Sequence, residues 1–342
     1  MPAIFDWRQV SAPDDVARQL AKALADGAIV ALPTEAGTVL AADPHQLADS
    51  NRPAGLPDGL RVSRLDGYMD AAAFFVQTSA TPAERALAGR LWPGPVGWIH
   101  DESPYPAWIP SHTAVAAVLA AHRASLALFE LNDGRPVDPG TLGDGMATAV
   151  IDGVARPGPV TLIRPNDTRW SIERPGILSE AAIRYALARK VVFVCTGNTC
   201  RSPMAEGLFK RRLAGRLGCT VEELPQRGFV VSSAGIAASA GDPATRESAE
   251  VLRAFGVDLS AHQSRPASAD LIGRADDVVA MTRGHLSSLV GRYPVLTGAL
   301  RLLGGADGDL DDPIGRGPDV YQTCATTIDN YVDRLITEMG LP

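Results

Sequence analysis

The sequence CTGNTCRS at residues 195–202 decides how the C-terminal half of the chain is organised. The preceding residues 191–194 (VVFV) are β-branched and aromatic, which predicts a buried strand. Pro203 and the residues after it predict a helix with proline at its first position. A strand, a tight loop and a helix therefore follow one another. The loop contains Gly197 and Asn198, two residue types that tolerate a left-handed backbone.

Such a loop can turn its N–H groups inward and bind an anion in front of the helix N-terminus. Five residues separate Cys195 from Arg201, a spacing that can place a thiol beneath the anion and a guanidinium beside it. The inward N–H groups, the helix N-terminus and the arginine all stabilise a thiolate, the nucleophilic form of cysteine. We expect Arg201 and the loop amides to hold phosphoryl oxygens, and Ser202 to donate to the thiolate. A buried structural cysteine beside a surface arginine would not explain why these residue types occur together.

The loop and its flanks resemble the low-molecular-weight protein phosphatases, whose signature is a cysteine, five residues, an arginine and a serine. The resemblance covers residues 190 to about 339. Further matching stretches are SSAG at 232–235, HQSR at 262–265, VAMT at 279–282, and Asp312-Pro313 with Tyr321 downstream. The resemblance implies a flavodoxin-like domain over residues 190–342, with a four-stranded parallel sheet flanked by helices, and catalysis through a phosphocysteine.

The resemblance also assigns roles to individual residues. Its general acid is the aspartate of the Asp-Pro pair, which is Asp312 here; the neighbouring Asp311 could be confused with it. The same carboxylate would activate water once Cys195 is phosphorylated. The predicted catalytic residues are thus Cys195, Arg201 and Asp312, and the predicted phosphate-binding loop contains Thr196, Gly197, Asn198, Thr199, Cys200 and Ser202.

Three features bear on the substrate, which we expect to be a phosphorylated protein. The run CTGNTCRSPMAE at 195–206 is similar to the bacterial protein arginine phosphatases, in which the threonine matching Thr199 is interpreted as favouring phosphoarginine. Residues 314–315 (IG) stand where tyrosine-directed members tend to carry aromatic residues. Asp311 and Asp312 can also pair with a guanidinium. We therefore favour phosphoarginine over phosphotyrosine.

The remaining cysteines and the histidines leave two questions. Cys200 either fills space in the loop or is a redox partner that forms a disulfide with Cys195. The six histidines have no metal-ligand spacing, so we expect no metal, and the phosphatase reaction needs no cofactor. Arsenate reduction, which uses the same fold, would need a resolving cysteine beyond the loop, and Cys219 and Cys324 are the candidates.

Residues 1–188 are predicted to form a separate α/β domain. The pattern includes a helix over 13–26, a strand over 71–76 and a helix over 81–91 that Thr81 caps with Glu84. This domain resembles the YrdC-like threonylcarbamoyl-adenylate synthases, which bind ATP and threonine in tRNA modification. The matching stretches are ALPTE at 31–35, LAADP at 40–44, WPGP at 92–95, ATAVID at 147–152 and RPG at 174–176.

This domain departs from the synthase pattern at three places. The family's Tyr-Gly after the first motif is Thr38-Val39 here. We find no match to the Lys-x-Arg stretch that the family uses for the phosphates of ATP. The family's Ser-x-Asn is Glu130-Leu131-Asn132 here, and a carboxylate would repel a nucleotide phosphate. We predict a retained fold with absent or altered synthase activity, in which Thr34, Asn132 and Arg174 are the remaining ligand candidates. ATP is expected only if this domain is active, and tRNA or double-stranded RNA would bind only through it.

Length and composition limit the number of domains, the class of protein and the cellular compartment. The 342 residues fit two domains, and 46% hydrophobic with 21% charged residues is typical of globular proteins. A net charge of −7 argues against general nucleic-acid binding. The sequence contains no run of about 18 apolar residues that would predict a membrane span. Its N-terminus does not show the pattern of an export signal, so we expect none. Four cysteines do not make a disulfide framework, and a thiolate enzyme needs a reducing compartment, so we expect the cytoplasm.

Overall fold

The computed structural model describes residues 3–47, 62–76, 78–131, 146–152, 158–166, 169–294 and 300–341. The chain divides into two compact units, Met1–Leu187 and Ala188–Pro342. The division falls directly before the strand that ends at Cys195.

One mixed sheet of ten strands forms the centre of the N-terminal unit, as far as the structure describes it. The strands are β1 (Ala3–Asp6), β2 (Ile29–Thr34), β3 (Gly37–Ala42), β4 (Val62–Gly67), β5 (Val96–Trp98), β6 (Ala107–Trp108), β7 (Leu126–Leu131), β8 (Met146–Ile151), β9 (Thr161–Asn166) and β10 (Arg169–Arg174). Their order is β1-β8-β2-β3-β7-β4-β6-β5-β9-β10. The sheet contains parallel pairs (β1 with β8, β2 with β8, β4 with β6, β5 with β9) as well as antiparallel pairs such as β2 with β3.

Helices pack against this sheet. They are α1 (Pro13–Ala25), α2 (Ala71–Phe75), α3 (Pro82–Leu91), α4 (Thr113–His122) and α5 (Glu180–Leu187). The expected strand over 71–76 is wrong: the Asp70 carboxylate accepts from the N–H of Ala73 at 2.8 Å and caps a short helix that buries Phe74 and Phe75. The predicted cap of α3 is confirmed, since Thr81 and Glu84 bond to each other's backbone N–H groups at 3.2 and 2.7 Å.

The C-terminal unit has a sheet of four parallel strands, as expected. They are β11 (Arg189–Cys195), β12 (Phe229–Gly235), β13 (Asp277–Ala280) and β14 (Leu300–Leu302), in the order β12-β11-β13-β14. The chain runs from β11 to one side for β12 and to the other side for β13. This reversal leaves a crevice at the carboxyl ends of β11 and β13, the place where open parallel sheets bind ligands.

Five helices surround this sheet in the described residues. They are α6 (Arg201–Leu217), α7 (Arg246–Ala254), α8 (Ala269–Gly273), α9 (Arg283–Arg292) and α10 (Pro318–Glu338). Helix α6 begins at Arg201 rather than at Pro203, because the carbonyl of Cys200 already accepts from the N–H of Met204 at 3.2 Å. The rings of Phe193 and Phe209 pack edge to face in the core between β11 and α6, with centroids 5.3 Å apart.

Of the helices that the structure describes, none has the length and apolar character needed to cross a membrane.

Candidate active site

Cys195 is the last residue of β11 and lies at the crevice between the carboxyl ends of β11 and β13. Its side chain is buried. The thiol lies 3.0 Å from the hydroxyl of Ser202, and the N–H of Asn198 donates to it at 3.2 Å. Two donors therefore converge on the sulfur, the arrangement that stabilises a thiolate.

Asn198 holds the loop in shape. Its φ of +57° is left-handed, whereas Gly197 does not need a positive φ. The buried amide donates to the hydroxyls of Ser202 and Ser233 at 2.9 and 2.8 Å and accepts from the N–H of Arg265 at 2.9 Å. Since the Ser202 oxygen receives this bond, its own proton is free to point at the sulfur of Cys195, which is nearer than the carbonyl of Ala234 at 3.3 Å.

The loop leaves a set of N–H groups open. Within the described residues, no acceptor bonds to the N–H groups of Gly197, Thr199 and Cys200. Arg201 and Ser202 begin the 17-residue helix α6, so their N–H groups have no intrahelical partner either. N–H groups of a tight loop followed by a helix N-terminus make a site for a phosphate-sized anion.

Gly235, at the end of β12, makes room for the loop. A Cβ at this position would lie 2.5 Å from the carbonyl oxygen of Thr196 and 2.9 Å from the nitrogen of Asn198. The stretch SSAG is therefore explained by packing: only glycine lets the neighbouring strand approach the loop this closely.

Arg201 lies beside the loop and pairs with Asp312. Its Nη2 donates to the Asp312 carboxylate, and its Nη1 donates to the carbonyl of Leu310 at 3.3 Å. Its Nε is buried and has no partner among the described residues. The Asp312 side chain is 42% exposed and its other oxygen accepts from the N–H of Ile314 at 3.2 Å. The expected arginine and acid thus pair with each other beside the loop that holds the expected nucleophile.

A second layer of polar residues supports the loop, and the sequence alone predicted no role for these residues. Glu206 accepts from the Ser233 hydroxyl at 2.6 Å and pairs with Lys210. The imidazole of His262 bonds to the carbonyl of Asn198 at 2.7 Å. Ser233 and His262 lie within two of the family-like stretches, which was the available signal for them.

His285, in the first turn of α9, contacts the loop from the β13 side. Its Nε2 lies 2.9 Å from the hydroxyl of Thr196, and its Nδ1 lies 2.9 Å from the hydroxyl of Thr282. Burial lowers the pKa of His285 below 6.5, and the nearby charge of Arg201 lowers it further. The imidazole is therefore neutral near pH 7.

The thiol of Cys200 is held by two hydroxyls. Its sulfur lies 3.5 Å from both the Thr245 hydroxyl and the Tyr321 hydroxyl. The N–H of Thr245 donates to the carbonyl of Thr199 at 2.9 Å, so the same residue also fixes the loop backbone. Burial, together with the Cys200 thiol, raises the pKa of Tyr321 to about 12, so this phenol stays protonated.

The two remaining cysteines lie in different settings. Cys324 is buried in α10, and burial raises the pKa of its thiol to about 12. Cys219 follows the C-terminal end of α6, about 25 Å along a 17-residue helix from the loop. The described residues contain no cluster of histidine, cysteine and carboxylate side chains that could hold a metal ion.

Thr34 and Arg174, the N-terminal candidates within the described residues, each bond to neighbours of their own. The Thr34 hydroxyl donates to the carbonyl of Gly37 at 2.5 Å and accepts from the N–H of Ala36 at 3.2 Å, so it closes the turn between β2 and β3. Asn132 lies outside the described residues.

Arg174 forms an ion pair with the buried carboxylate of Glu130. Its Nη2 donates to Glu130 and, at 2.9 Å, to the carbonyl of Val160. The second Glu130 oxygen accepts from the N–H of Val160 at 2.6 Å. Burial raises the pKa of Glu130 above 4.5, an effect that the Arg174 charge opposes without cancelling it.

Comparison with known proteins places the C-terminal unit. The family model described as low molecular weight phosphotyrosine protein phosphatase matches residues 190–340. A protein-arginine-phosphatase of Geobacillus stearothermophilus is 36% identical over 154 residues, which span 44% of this chain and 95% of the relative. A protein-arginine-phosphatase of Bacillus subtilis is 37% identical over 153 residues, 44% of this chain and 95% of the relative. The low molecular weight protein-tyrosine-phosphatase Wzb of Salmonella typhimurium is 30% identical over 159 residues, 45% of this chain and 98% of the relative.

Proposed function

Because the chain belongs, through residues 190–340, to the low-molecular-weight phosphotyrosine protein phosphatase family, we propose that it hydrolyses phosphoarginine in proteins through a phosphocysteine on Cys195. Its C-terminal half is a protein phosphatase; the residue roles and the phosphoarginine preference are the proposal. The observation that carries it is the loop itself. Open N–H groups, the N-terminus of α6 and the Arg201 guanidinium surround a buried thiol that already receives a hydrogen bond.

In the first step, the Cys195 sulfur attacks phosphorus. The S–P bond forms while the P–N bond to the substrate breaks, and the Asp312 carboxyl gives its proton to the departing nitrogen. The loop N–H groups and Arg201 hold the three equatorial oxygens, where the charge lies in phosphoryl transfer. Ser202 stabilises the thiolate before attack and when it leaves again.

In the second step, the Asp312 carboxylate accepts a proton from a water molecule. The water oxygen bonds to phosphorus, the S–P bond breaks, and inorganic phosphate and the Cys195 thiolate are released. One carboxyl group thus acts first as acid and then as base.

The pairing of Arg201 with Asp312 sets a condition on this cycle. An anion in the loop must compete with the Asp312 carboxylate for the guanidinium. Because the Asp312 side chain is 42% exposed, it can turn toward the leaving group at the rim of the pocket without a large burial cost. Its release from Arg201 leaves the guanidinium to the phosphoryl group.

Four observations support phosphoarginine as the substrate class. The Thr199 hydroxyl has only a weak sulfur contact, to Cys200 at 3.7 Å, so it is available to a polar leaving group. Next to Asp312, Ile314 is 60% exposed, and residues 313–316 (PIGR) include no aromatic side chain that could sandwich a phenol. The charges of Asp311 and Asp312 suit a guanidinium. Two relatives that match this half of the chain are named protein-arginine-phosphatase.

Cys200 serves, in this proposal, as the redox partner of Cys195. Peroxide would oxidise the Cys195 thiolate to a sulfenic acid. The Cys200 sulfur, once it has lost its proton, then attacks that sulfur; a disulfide forms, and the hydroxide that leaves takes up a proton to become water. To react, the Cys200 thiol must leave the hydroxyls of Thr245 and Tyr321. The disulfide would protect Cys195 from irreversible oxidation.

Hydrolysis is better supported than arsenate reduction. A resolving cysteine must present a thiolate near the loop, but the buried Cys324 thiol stays protonated because its pKa is raised to about 12. Cys219 lies at the far end of α6.

For the N-terminal unit, which we propose to share the YrdC-like fold, we infer a docking or regulatory role rather than synthase activity. Thr34 closes its own turn and Arg174 is neutralised by Glu130, so neither is free for a nucleotide or an amino acid. Incubation with ATP, threonine and bicarbonate should therefore release no pyrophosphate. Release above the background of a Glu130→Ala and Arg174→Ala double variant would contradict this.

The decisive experiment compares phosphate release from a phosphoarginine protein and from a phosphotyrosine peptide, with Cys195→Ser as the control. We expect faster turnover of phosphoarginine and none in the variant. A preference for phosphotyrosine would retain the phosphatase and overturn the substrate class. Release from neither substrate by the reduced protein would overturn the whole proposal.

A further inference from the structure

His285 contacts the phosphatase loop but has no part in the two steps above. It is 6% exposed and lies in the first turn of α9, which follows β13. Its two ring nitrogens each meet a threonine hydroxyl at 2.9 Å, Thr196 in the loop and Thr282 at the N-cap of α9. The imidazole therefore bridges the carboxyl end of β13 and the residue directly after the nucleophile.

The hydrogen-bond partners favour one tautomer of His285. The Thr282 oxygen already accepts from the backbone N–H of His285 at 3.2 Å as the helix cap. Its hydroxyl proton is then available to Nδ1, which places the ring proton on Nε2. Nε2 donates to the Thr196 oxygen. This arrangement gives each of the three side chains a donor and an acceptor role.

The Thr196 hydroxyl keeps one unused function. Its oxygen receives the bond from His285, and among the residues that the structure describes its own proton has no acceptor. Thr196 is exposed, although its backbone is fixed by the bond from the N–H of Ala237 to its carbonyl at 3.0 Å. A free hydroxyl donor thus stands at the rim of the anion loop, one residue from the sulfur that is phosphorylated.

We propose that Thr196 is a substrate-contacting donor and that His285 is the positioning residue that aims it. The Nε2–H bond fixes the Thr196 rotamer, so the hydroxyl proton points at the phosphoryl group held by the loop. This inference rests on the phosphatase reaction of the C-terminal unit and adds two residues to it.

A neutral imidazole suits this task. Burial and the Arg201 charge disfavour the imidazolium, while Asp312 and Asp309 favour it less strongly. A neutral ring donates through one nitrogen and accepts through the other, so the chain Thr282, His285, Thr196 has one direction only. That direction ends with the Thr196 proton at the pocket.

The test is a double-mutant cycle on the full chain with para-nitrophenyl phosphate. Thr196→Val removes the hydroxyl and His285→Ala removes its support, and each should lower kcat/KM about tenfold, the worth of one hydrogen bond. If His285 acts through Thr196, the double variant loses about tenfold as well, not about a hundredfold. Thr196→Ser and His285→Gln, which keep a hydroxyl and a neutral donor, should restore most of the activity. Ser288→Ala, on the outer side of the same helix, is the matched control.

A second readout does not depend on turnover. The ¹⁵N spectrum of the imidazole, assigned by its loss in His285→Gln, should show the Nε2–H tautomer and should shift in Thr196→Val. Inorganic phosphate should bind more weakly to Thr196→Val than to the wild type. An Nδ1–H tautomer, multiplicative losses in the cycle, or full activity in Thr196→Val would each overturn the proposal. An inactive wild type would refute the phosphatase function, while the spectra and phosphate binding would still decide the role of His285.

Discussion

Two arginine–carboxylate pairs, one in each unit, have the same chemistry but different roles. Arg201 pairs with Asp312, whose side chain is 42% exposed, and Arg174 pairs with Glu130, whose side chain is 7% exposed. Both arginines have a buried Nε without a partner among the described residues. The pairs therefore differ in what surrounds them rather than in their own composition.

The surroundings decide whether a pair can open. Asp312 lies in a surface loop next to a set of open N–H groups, so an anion can take its place on the guanidinium. Glu130 is fixed by a further bond from the N–H of Val160 at 2.6 Å and lies in the sheet, where separation would leave a buried charge alone. An arginine–carboxylate pair thus indicates a binding site only when its carboxylate can leave the arginine.

Asp312→Asn, which removes the carboxylate that pairs with Arg201, should have the largest effect. Without the acid, we expect kcat to fall about a hundredfold or more. Without the negative charge competing for Arg201, inorganic phosphate should bind a few-fold more tightly, about the worth of a partly exposed ion pair. Steady-state kinetics and calorimetric titration with phosphate measure the two opposite effects.

Asp319→Asn, an exposed aspartate in the first turn of α10, serves as the control and should leave both quantities unchanged. A fall in phosphate affinity in Asp312→Asn would show that the carboxylate supports Arg201 rather than competing for it.

The sequence predicted the phosphatase loop well because its signals are local. The apolar run before Cys195 and the glycine and asparagine after it lie within a few residues, and the left-handed φ of Asn198 agrees with its residue type. The expected strand over 71–76 failed for the same reason in reverse. A short apolar run fits either a strand or a helix, and the Asp70 cap decided for the helix.

The contacts that complete the site were beyond sequence reasoning. His285 and Thr196 are 89 residues apart, and Arg174 and Glu130 are 44 apart. Such pairs follow from sheet order and register, which bring distant strand ends together. Glu130 was expected to repel a nucleotide, but its partner Arg174 could be found only in the folded chain.

Thr199→Ile tests whether the Thr199 hydroxyl determines the substrate preference of the phosphatase. Removing the hydroxyl should lower kcat/KM for phosphoarginine about tenfold, while the value for phosphotyrosine changes little. Side-by-side kinetics on both substrates give the ratio. Thr199→Ser, which keeps the hydroxyl, should retain the wild-type ratio, and an equal loss on both substrates would make Thr199 a residue of loop structure alone.

Cys200→Ser tests whether Cys200 protects Cys195 from irreversible oxidation. The reduced variant should turn over substrate nearly as fast as the wild type. After treatment with peroxide, the wild type should recover most activity with dithiothreitol, whereas the variant should recover several-fold less because Cys195 is oxidised further. Cys324→Ser is the matched control. Equal recovery in all three proteins would remove the redox role of Cys200.

Glu130→Gln probes the buried pair of Glu130 with Arg174. We expect the smallest effect here, a change in the free energy of unfolding with none on phosphatase activity. Because burial raises the pKa of Glu130, the folded chain binds more protons than the unfolded chain above pH 4.5, and this group lowers the free energy of unfolding as the pH rises through its folded pKa. Glutamine removes that slope and keeps an acceptor for Val160. All five tryptophans lie at or before residue 170, so their fluorescence in urea titrations at pH 5 and 7.5 reports on the N-terminal unit alone. If the free energy of unfolding differs between the two pH values as much in the variant as in the wild type, Arg174 fully compensates the buried charge of Glu130. The pair would then not lower the stability of the N-terminal unit.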